Sequence, residues 1–385
     1  MSTPLKSPTS APVSAPMSAP TSAPPVSPNW VPRTDVPLLS IDWPDEARRV
    51  QFNRWLNGVA DAHGLQTSSL RAASADASFR RYFRVDAPGR SYIVMDAPPP
   101  LEDVRPFVSV AAQLAAADLA APRVLESDPA NGFLLLTDLG NRLCLDALQS
   151  AVATQHTDAV NNLMRSAVST LVTWQQRIDA SVLPPYSDAL LNRDLALFPQ
   201  WCVQQELGVQ WAPEEHAVWI DACNALVQSA QAQATVAVHR DYMPRNLMLT
   251  PEGSIGILDF QDAVRGPIGY DVASLLRDAF ISWDEDQELD WAVRYWQQAK
   301  KVGLPVDADF GEFWRQVEWM GLQRHLKVLG IFCRLKHRDG KPKYSSDLPR
   351  FFNYAHKVAA RYNALRPLSR LLEPLMGAER RDVYF

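Results

Sequence analysis

The stretch VHRDYMPRNLM at residues 238–248, followed by ILDF at 257–260, carries three oxygen-bearing side chains in a distinctive order. Asp241 offers a carboxylate, Asn246 an amide oxygen, and Asp259 a second carboxylate that directly precedes a phenylalanine. A lone His-Arg-Asp carries little information, because Asp and Asn are common in any turn. The joint pattern is not explained by turn propensity. An amide oxygen and a carboxylate are ligands that suit a hard cation.

These residues resemble the phosphotransfer core of the protein-kinase-like fold. In that core the first carboxylate orients an acceptor hydroxyl, and the amide and second carboxylate hold Mg²⁺ against the phosphates of ATP. The resemblance implies Asp241 as a catalytic residue, Asn246 and Asp259 as metal ligands, and ATP and Mg²⁺ as cofactors. Arg245 lies inside the loop and is a second catalytic candidate, because a guanidinium there can contact a phosphate. Asp271 is expected to support the loop structurally.

Composition is that of a globular protein, with 47% hydrophobic and 21% charged residues among 385. The net charge of −5 argues against a general nucleic-acid binder. No apolar run approaches the roughly 18 residues that span a bilayer, so no membrane partner is expected. The cysteines are far apart and lack Cys-x-x-Cys spacing, which predicts reduced thiols and a cytoplasmic location. They are Cys144, Cys202, Cys223 and Cys333.

Residues 1–29 consist almost entirely of Ser, Thr, Ala and Pro, with a proline at nearly every fourth position. Such a segment cannot bury enough apolar surface to offset its ordering entropy, so we expect a disordered tail. It is either a dispensable extension or a weak tether for a partner with an aromatic groove. It is not a signal peptide, because it has a single Lys and no apolar central region.

The pattern between residues 46 and 140 predicts a small antiparallel sheet with two helices. Helices are expected from about residue 46 and around 104–119, where apolar side chains recur at helical spacing. Strand signals occur in SFRRYFRV, YIVM, RVLESD and GFLLLTDLG. From about residue 145 the pattern is mostly helical.

The sequence therefore predicts an α+β, two-lobed protein-kinase-like fold, with a small antiparallel-sheet N-lobe and a larger, mostly helical C-lobe. After the tail at 1–29, the N-lobe with its nucleotide-binding sheet is expected at 30–140. The C-lobe, with the catalytic loop and the sugar site, is expected at 141–385.

The segment 73–85 lies where this fold places its phosphate-covering loop, yet it contains no glycine. The Ser78 hydroxyl is a candidate phosphate ligand. Arg80 and Arg81 are two more, but neighbours on a strand face opposite ways, so only one can point toward the nucleotide. Met95 occupies the position expected for the phosphate-binding lysine. Either an arginine supplies the charge, or the protein binds nucleotide without transferring phosphate.

The run LLLTDLG at 134–140 resembles the connection between the lobes in this fold. The resemblance implies that backbone groups of Thr137, Asp138 and Leu139 pair with the adenine edge. A buried strand that ends in a Gly turn is compatible with the same role.

Several longer strings together resemble the aminoglycoside phosphotransferase superfamily, and within it the bacterial anomeric kinases of N-acetylmuramate and N-acetylglucosamine. The strings are HRDYMPRN, ILDFQDAVRGPIGYDVASLLRD, SFRRYFRV, YIVMDAP and LLLTDLG. The likeness covers roughly residues 40 to 375. It implies ATP-dependent phosphorylation of the anomeric hydroxyl of an amino sugar, as used in peptidoglycan recycling. A kinase of an aminoglycoside or choline-like alcohol, or a nucleotide-binding pseudokinase, is the alternative.

The acceptor site is expected to be basic. Aminoglycosides are polycations that favour carboxylates, whereas the lactyl carboxylate of N-acetylmuramate favours a cation. The segment 333–344 is strongly basic, and Arg334 is its candidate sugar ligand; a solvated surface loop is the other interpretation. Trp201 can stack on the apolar face of a pyranose. Arg277 and Asp278 are further substrate-binding candidates.

Overall fold

The protein is described here from a computed structural model. The structure describes residues 41, 43–74 and 79–376. The expectations for the tail at 1–29 and for Ser78 fall outside these residues. The remainder has the predicted α+β architecture, with a small antiparallel sheet followed by a larger helical part.

Five antiparallel strands form the N-terminal sheet, in the order β1-β2-β3-β5-β4. They are β1 (Gln66–Ser74), β2 (Arg81–Ala87), β3 (Arg90–Asp96), β4 (Val124–Asp128) and β5 (Phe133–Thr137). The expected hairpin joins β2 to β3 through Pro88 and Gly89. Gly89 has a φ of 73°, which glycine adopts without steric cost.

Strand β1 has no counterpart among the predicted elements. Its sequence, QTSSLRAAS, lacks the apolar alternation that marks a half-buried strand. It lies at the edge of the sheet and pairs only with β2, with two register shifts. An edge strand needs little packing, and for that reason hydrophobic periodicity did not reveal it.

Two helices cover the two faces of the sheet, α1 (Glu46–His63) and α2 (Arg105–Ala116). On one face, the Phe52 ring of α1 lies 5.3 Å from Phe83 and 5.5 Å from Phe133. On the other face, Met95 joins the large core that contains Phe107 of α2. Side chains alternate across a strand, so the sheet contributes to two separate cores.

The C-terminal part is built from nine further α-helices among the described residues, arranged around α9. They are α3 (Cys144–Ala153), α4 (Thr157–Arg177), α5 (Asp188–Leu197), α6 (Pro213–Ala232), α7 (Gly269–Leu276), α8 (Glu285–Lys301), α9 (Phe310–His337), α10 (Leu348–Arg361) and α11 (Arg366–Leu372). A π-helix, Phe198–Glu206, continues directly from α5. Gly330 allows α9 to approach this junction, because a Cβ there would lie 2.4 Å from the Leu197 carbonyl carbon.

Two short ribbons hold the motif region. Strand β6 (Thr235–Val238) pairs with β9 (Val264–Pro267), and β7 (Leu247–Leu249) pairs with β8 (Ile255–Ile257). The loop between β6 and β7 carries the HRDYMPRN residues, and Asp259 follows β8. The antiparallel pairing of β7 and β8 folds the chain back so that these groups meet.

The four cysteines are buried free thiols. None of the described helices is long and apolar enough to cross a bilayer.

Candidate active site

The loop after β6 is held by the carboxylate of Asp271, as the sequence predicted. This carboxylate accepts the backbone N–H groups of His239 at 2.6 Å and Arg240 at 3.0 Å. The His239 ring donates from Nε2 to the carbonyl of Leu258 at 2.9 Å, and its Nδ1 accepts the N–H of Asp241 at 3.3 Å. Burial lowers the pKa of His239 to about 4. The imidazole is therefore neutral at pH 7, as these two hydrogen bonds require.

Asp241 lies half-buried in this loop with cations around it. Burial alone would raise the pKa of its carboxyl, but the combined charges of Lys327 and Arg324 on α9 and of Arg240 in the loop outweigh burial and lower it. Asp241 is thus ionised at neutral pH and can accept a hydrogen bond from a hydroxyl group.

Asn246 is hydrogen-bonded to the backbone of Asp241, and Asp259 directly follows Leu258, which is hydrogen-bonded to Asn246. The Asn246 side chain donates from Nδ2 to the backbone carbonyl of Asp241 at 2.9 Å, and the backbone carbonyl of Asn246 accepts the Leu258 N–H at 2.9 Å. Asp259 has a φ of 60°, an unusual conformation for a residue with a side chain. Its Oδ1 accepts a hydrogen bond from Gln261 at 2.9 Å.

The donor set fits a magnesium ion. An amide oxygen and a carboxylate are hard ligands, and Mg²⁺ commonly uses one or two such groups together with waters and phosphates. Asn246 and Asp259 line the same cleft. Within the described ranges no group of three or more His, Cys, Asp or Glu side chains could hold a metal.

That cleft, of about 610 Å³, lies between the sheet and the catalytic loop and is hereafter the nucleotide cleft. Its lining is mainly apolar on the sheet side and includes the predicted residues Thr137, Asp138 and Leu139. Further lining residues are Tyr82, Ile93, Phe107, Leu136, Leu143, Leu145, Met248 and Leu258. An apolar slot with polar groups at one end suits a planar base with a phosphate chain.

The Asp138 side chain is hydrogen-bonded within the connection between the lobes. It accepts hydrogen bonds from the Arg84 guanidinium at 2.5 and 2.9 Å, from the Ser91 hydroxyl at 2.6 Å and from the Gly140 N–H at 2.9 Å. The backbone groups of this connection, rather than the Asp138 carboxylate, therefore remain to bind a nucleotide base.

Arg80 and Arg81 point in different directions. Arg80 precedes β2, and its Nη2 lies 3.9 Å from the Oδ1 of Asp259 while its Nε lies 3.8 Å from Glu102. Arg81 binds the fully buried Asp96 on the other side of the sheet, with Nε at 3.1 Å. The structure thus brings Arg80 close to Asp259 and places Arg81 in a structural ion pair.

A second cavity, of about 590 Å³, lies on the far side of Asp241 and is hereafter the acceptor cavity. Six cationic and three carboxylate side chains line it. They are Arg193, Arg240, Arg245, Arg324, Lys327 and Arg334, with Asp194, Asp241 and Asp262.

The two cavities meet at Arg245 and Phe280, which line both of them. The Arg245 guanidinium lies 5.0 Å from the centre of the Phe280 ring. A group that passes from one cavity to the other passes this arginine.

Of the predicted substrate-binding residues, the structure places only Arg334 in the acceptor cavity. Arg277 is buried and pairs with Glu288 at 3.0 Å and Glu318 at 2.9 Å, which joins α7, α8 and α9. Its charge is used for packing, so we withdraw it as a sugar ligand.

Asp278 and Trp201 also lie outside the lining of both cavities. Asp278 is fully buried, and its Oδ1 accepts the Ala279 N–H at 2.6 Å. Burial raises the pKa of Asp278 to about 6, although the nearby Arg324 opposes this rise. Trp201 lies in the π-helix and packs against the large core.

Sequence reasoning missed Arg324 and Lys327 of α9. Both are buried, at 2% and 5% exposure, and both line the acceptor cavity. A signal was present, because two cations three residues apart interrupt the apolar run of a long helix. Buried cations are rare unless they are paired or bind a ligand.

Fold and site together define a phosphotransferase of the kinase-like class. Residues 69–310 match the model of the phosphotransferase enzyme family, and the chain belongs to that family. The predicted family resemblance is confirmed.

Curated relatives match nearly the whole chain. An N-acetylmuramate/N-acetylglucosamine kinase of Pseudomonas aeruginosa is 48% identical over 87% of this chain and 99% of that protein. The protein of the same name from Neisseria meningitidis serogroup B is 44% identical over 88% of this chain and 99% of its own length.

Solved structures show the same fold at low identity. The gentamicin complex of the aminoglycoside phosphotransferase APH(2")-IIa has a TM-score of 0.55 and 15% identity, covering 80% of this chain and 97% of that one. Choline kinase LicA of Streptococcus pneumoniae has a TM-score of 0.54 and 11% identity, covering 81% of this chain and 100% of that one. The predicted two-lobed kinase-like fold is confirmed.

Proposed function

We propose that the protein transfers the γ-phosphoryl group of ATP to the anomeric hydroxyl of N-acetylmuramate and N-acetylglucosamine. The observation that carries the proposal is the meeting of two cavities at Arg245, with Asn246 and Asp259 on one side and Asp241 on the other. The names of the relatives supply the sugar class.

In this mechanism the ionised Asp241 orients the anomeric hydroxyl and accepts its proton. A bond forms between the anomeric oxygen and the γ-phosphorus while the bond from that phosphorus to ADP breaks. The anomeric hydroxyl is more acidic than an ordinary alcohol, because the ring oxygen withdraws electron density. A carboxylate whose pKa is lowered by neighbouring cations is therefore a sufficient base.

Charge neutralisation is assigned to a bound Mg²⁺ and to two arginines. Asn246 and Asp259 would hold Mg²⁺, which neutralises phosphate charge when it is bound. Arg245 is positioned to contact the transferred phosphoryl group. Arg80, beside Asp259, supplies the positive charge that Met95 cannot.

The charge of the acceptor cavity favours a neutral or anionic sugar. Cationic side chains outnumber carboxylates two to one there, and this would repel a polycationic aminoglycoside. The lactyl carboxylate of N-acetylmuramate is attracted by the same lining. A sugar 1-phosphate made in the cytoplasm, where ATP is available, would feed peptidoglycan recycling.

The test is ADP release over a panel of N-acetylmuramate, N-acetylglucosamine, an aminoglycoside and choline, followed by phosphorus NMR of the product. We expect turnover with the two amino sugars and a phosphate on the anomeric oxygen. Phosphate at another position would reject the anomeric assignment. ATP binding without turnover on any acceptor would favour a pseudokinase.

A further inference from the structure

Helix α9 presents one row of side chains to the acceptor cavity. Arg324, Lys327, Ile331 and Arg334 line it at spacings of three or four residues, which places them on one face of the helix. With a rise of 1.5 Å per residue, Arg324 and Arg334 are separated by about 15 Å along the axis. The two arginines therefore serve different parts of the cavity.

Arg324 lies at the reacting end. Its Nη2 lies 3.9 Å from the sulfur of Met243, two residues after Asp241 in the catalytic loop, and its charge acts on the Asp241 carboxyl. Arg334 lies at the other end, where its charged neighbours are Arg338, Asp339, Arg193 and Asp194.

The Arg324 guanidinium has unused hydrogen-bonding capacity. Its Nε and Nη1 are buried and have no hydrogen-bond partner. No carboxylate of the described residues forms an ion pair with it, although its charge acts on Asp241, Asp271 and Asp278. Lys327, by contrast, donates to the Tyr270 hydroxyl at 3.1 Å and lies 3.9 Å from Asp194. Buried donors without an acceptor are unfavourable, and a bound ligand can supply the missing acceptor.

The position of Arg324 determines which substituent of a bound sugar it can contact. If the anomeric oxygen lies at Asp241, the adjacent sugar carbon bears the 2-acetamido group, which both proposed acceptors share. Its carbonyl oxygen is a strong acceptor. The lactyl carboxylate, on the next carbon, is farther from the reacting atom. Arg245 lines both cavities, whereas Arg324 lines the acceptor cavity and not the nucleotide cleft.

We propose that Arg324 selects acceptors that carry a 2-acetamido group, by donating N–H groups to the acetamido carbonyl oxygen. The proposal rests on the proposed sugar kinase function and adds the residue that sets its specificity. A 2-hydroxyl group, as in glucose, does not reach as far. The 2-ammonium group of glucosamine is repelled by the guanidinium.

The test compares kcat/KM for N-acetylglucosamine and glucose in the wild-type protein and in Arg324→Met. We expect the preference for N-acetylglucosamine to fall about tenfold or more, the loss typical of a hydrogen bond from a charged group. The ratio is independent of the folded fraction of a preparation. Where glucose turnover is too slow, its inhibition constant against N-acetylglucosamine replaces kcat/KM.

Two further variants sharpen the test. Arg324→Lys keeps the positive charge near the three carboxyls but loses the planar fork, and should also reduce the preference. Lys336→Met is the matched control, because Lys336 pairs with Glu206 at 2.8 Å and does not line the cavity. It should leave the preference unchanged.

Equal losses on both sugars in Arg324→Met would overturn the proposal and assign Arg324 to the reacting groups or to the fold. A change confined to the ratio of N-acetylmuramate to N-acetylglucosamine would also overturn it, in favour of carboxylate binding. Absence of turnover on either amino sugar by the wild-type protein would instead reject the proposed function.

Discussion

At the scale of single residues, Asp241 lies where burial and neighbouring cations act on one carboxyl in opposite directions, and the cations prevail. Asp241→Asn removes the proton acceptor but keeps the size of the side chain. We expect kcat to fall about 10²-fold or more. Affinity for ATP should not change, because Asp241 lines the acceptor cavity and not the nucleotide cleft. Steady-state kinetics measures kcat, and calorimetry measures the affinity for ATP. Near-wild-type turnover would remove Asp241 from the mechanism.

Arg80 and Arg81 give a matched pair of variants. Arg80→Met should raise the KM for ATP and lower kcat, because it removes the cation beside Asp259. Arg81→Met should leave the KM for ATP unchanged but lower Tm, because the buried Asp96 loses one of its two guanidinium partners. Kinetics and thermal unfolding of both variants are the measurements. The same kinetic loss in both would contradict this division of roles.

Residue roles were predictable from sequence where the chemistry is local. Asp241, Asn246 and Asp259 lie within one short stretch, so their spacing alone placed them together. Arg277 was a substrate-binding candidate from its position after the motif, and the sequence did not show its ion pairs with Glu288 and Glu318, which lie on other helices. The residues that flank a charged side chain in the sequence do not show which partners it meets in the folded chain.

At the scale of elements, α9 reaches farther than the sequence indicated. The basic segment 333–344 was interpreted as a sugar-binding stretch or a surface loop, but α9 continues to His337. Basic residues are favourable in the last turn of a helix, which accounts for part of the charge. Lys336 and Arg338 form pairs with Glu206 and Asp339 outside the cavity. Only tertiary packing separates these cations from Arg334, which lines the acceptor cavity.

Arg334 is the cation of that segment that lines the acceptor cavity, and its Nε is buried without a partner. Arg334→Met should penalise N-acetylmuramate more than N-acetylglucosamine, because only the former carries a carboxylate. A charge-assisted hydrogen bond is worth about 1.5 to 3 kcal/mol, so the ratio of kcat/KM values should change about tenfold or more. Lys336→Met is again the control and should leave the ratio unchanged. Equal losses on both sugars in Arg334→Met would reject the assignment.

At the scale of the whole molecule, the folded part was predictable as a class because the motif, strand and helix patterns agree with one another. The position of the acceptor cavity was not, since it depends on how α9 packs against the catalytic loop. The tail at 1–29 stays a prediction. Deleting residues 1–29 should leave Tm and kcat/KM essentially unchanged, because the segment lacks core-forming side chains. A drop of several degrees in Tm would show that the tail binds the folded part.

The free energy of unfolding should depend on pH through Asp278. Burial raises the pKa of this residue to about 6. In the unfolded chain this carboxyl ionises near pH 4, about two units lower. The protonated form is therefore favoured by folding. Its contribution to stability is fully present below pH 4 and is lost as the pH rises through 6.

Asp278→Asn mimics the protonated form and keeps the acceptor for the Ala279 N–H. Its free energy of unfolding should match that of the wild-type protein near pH 4. It should then exceed the wild-type value by up to about 3 kcal/mol above pH 6, since each pKa unit corresponds to about 1.4 kcal/mol. Urea unfolding of both proteins between pH 4 and 8 measures the gap. In an Arg324→Met background the difference should develop over a range that extends to higher pH, because the guanidinium of Arg324 lowers the pKa of Asp278. A gap that stays constant over this range would show that Asp278 is not the titrating group.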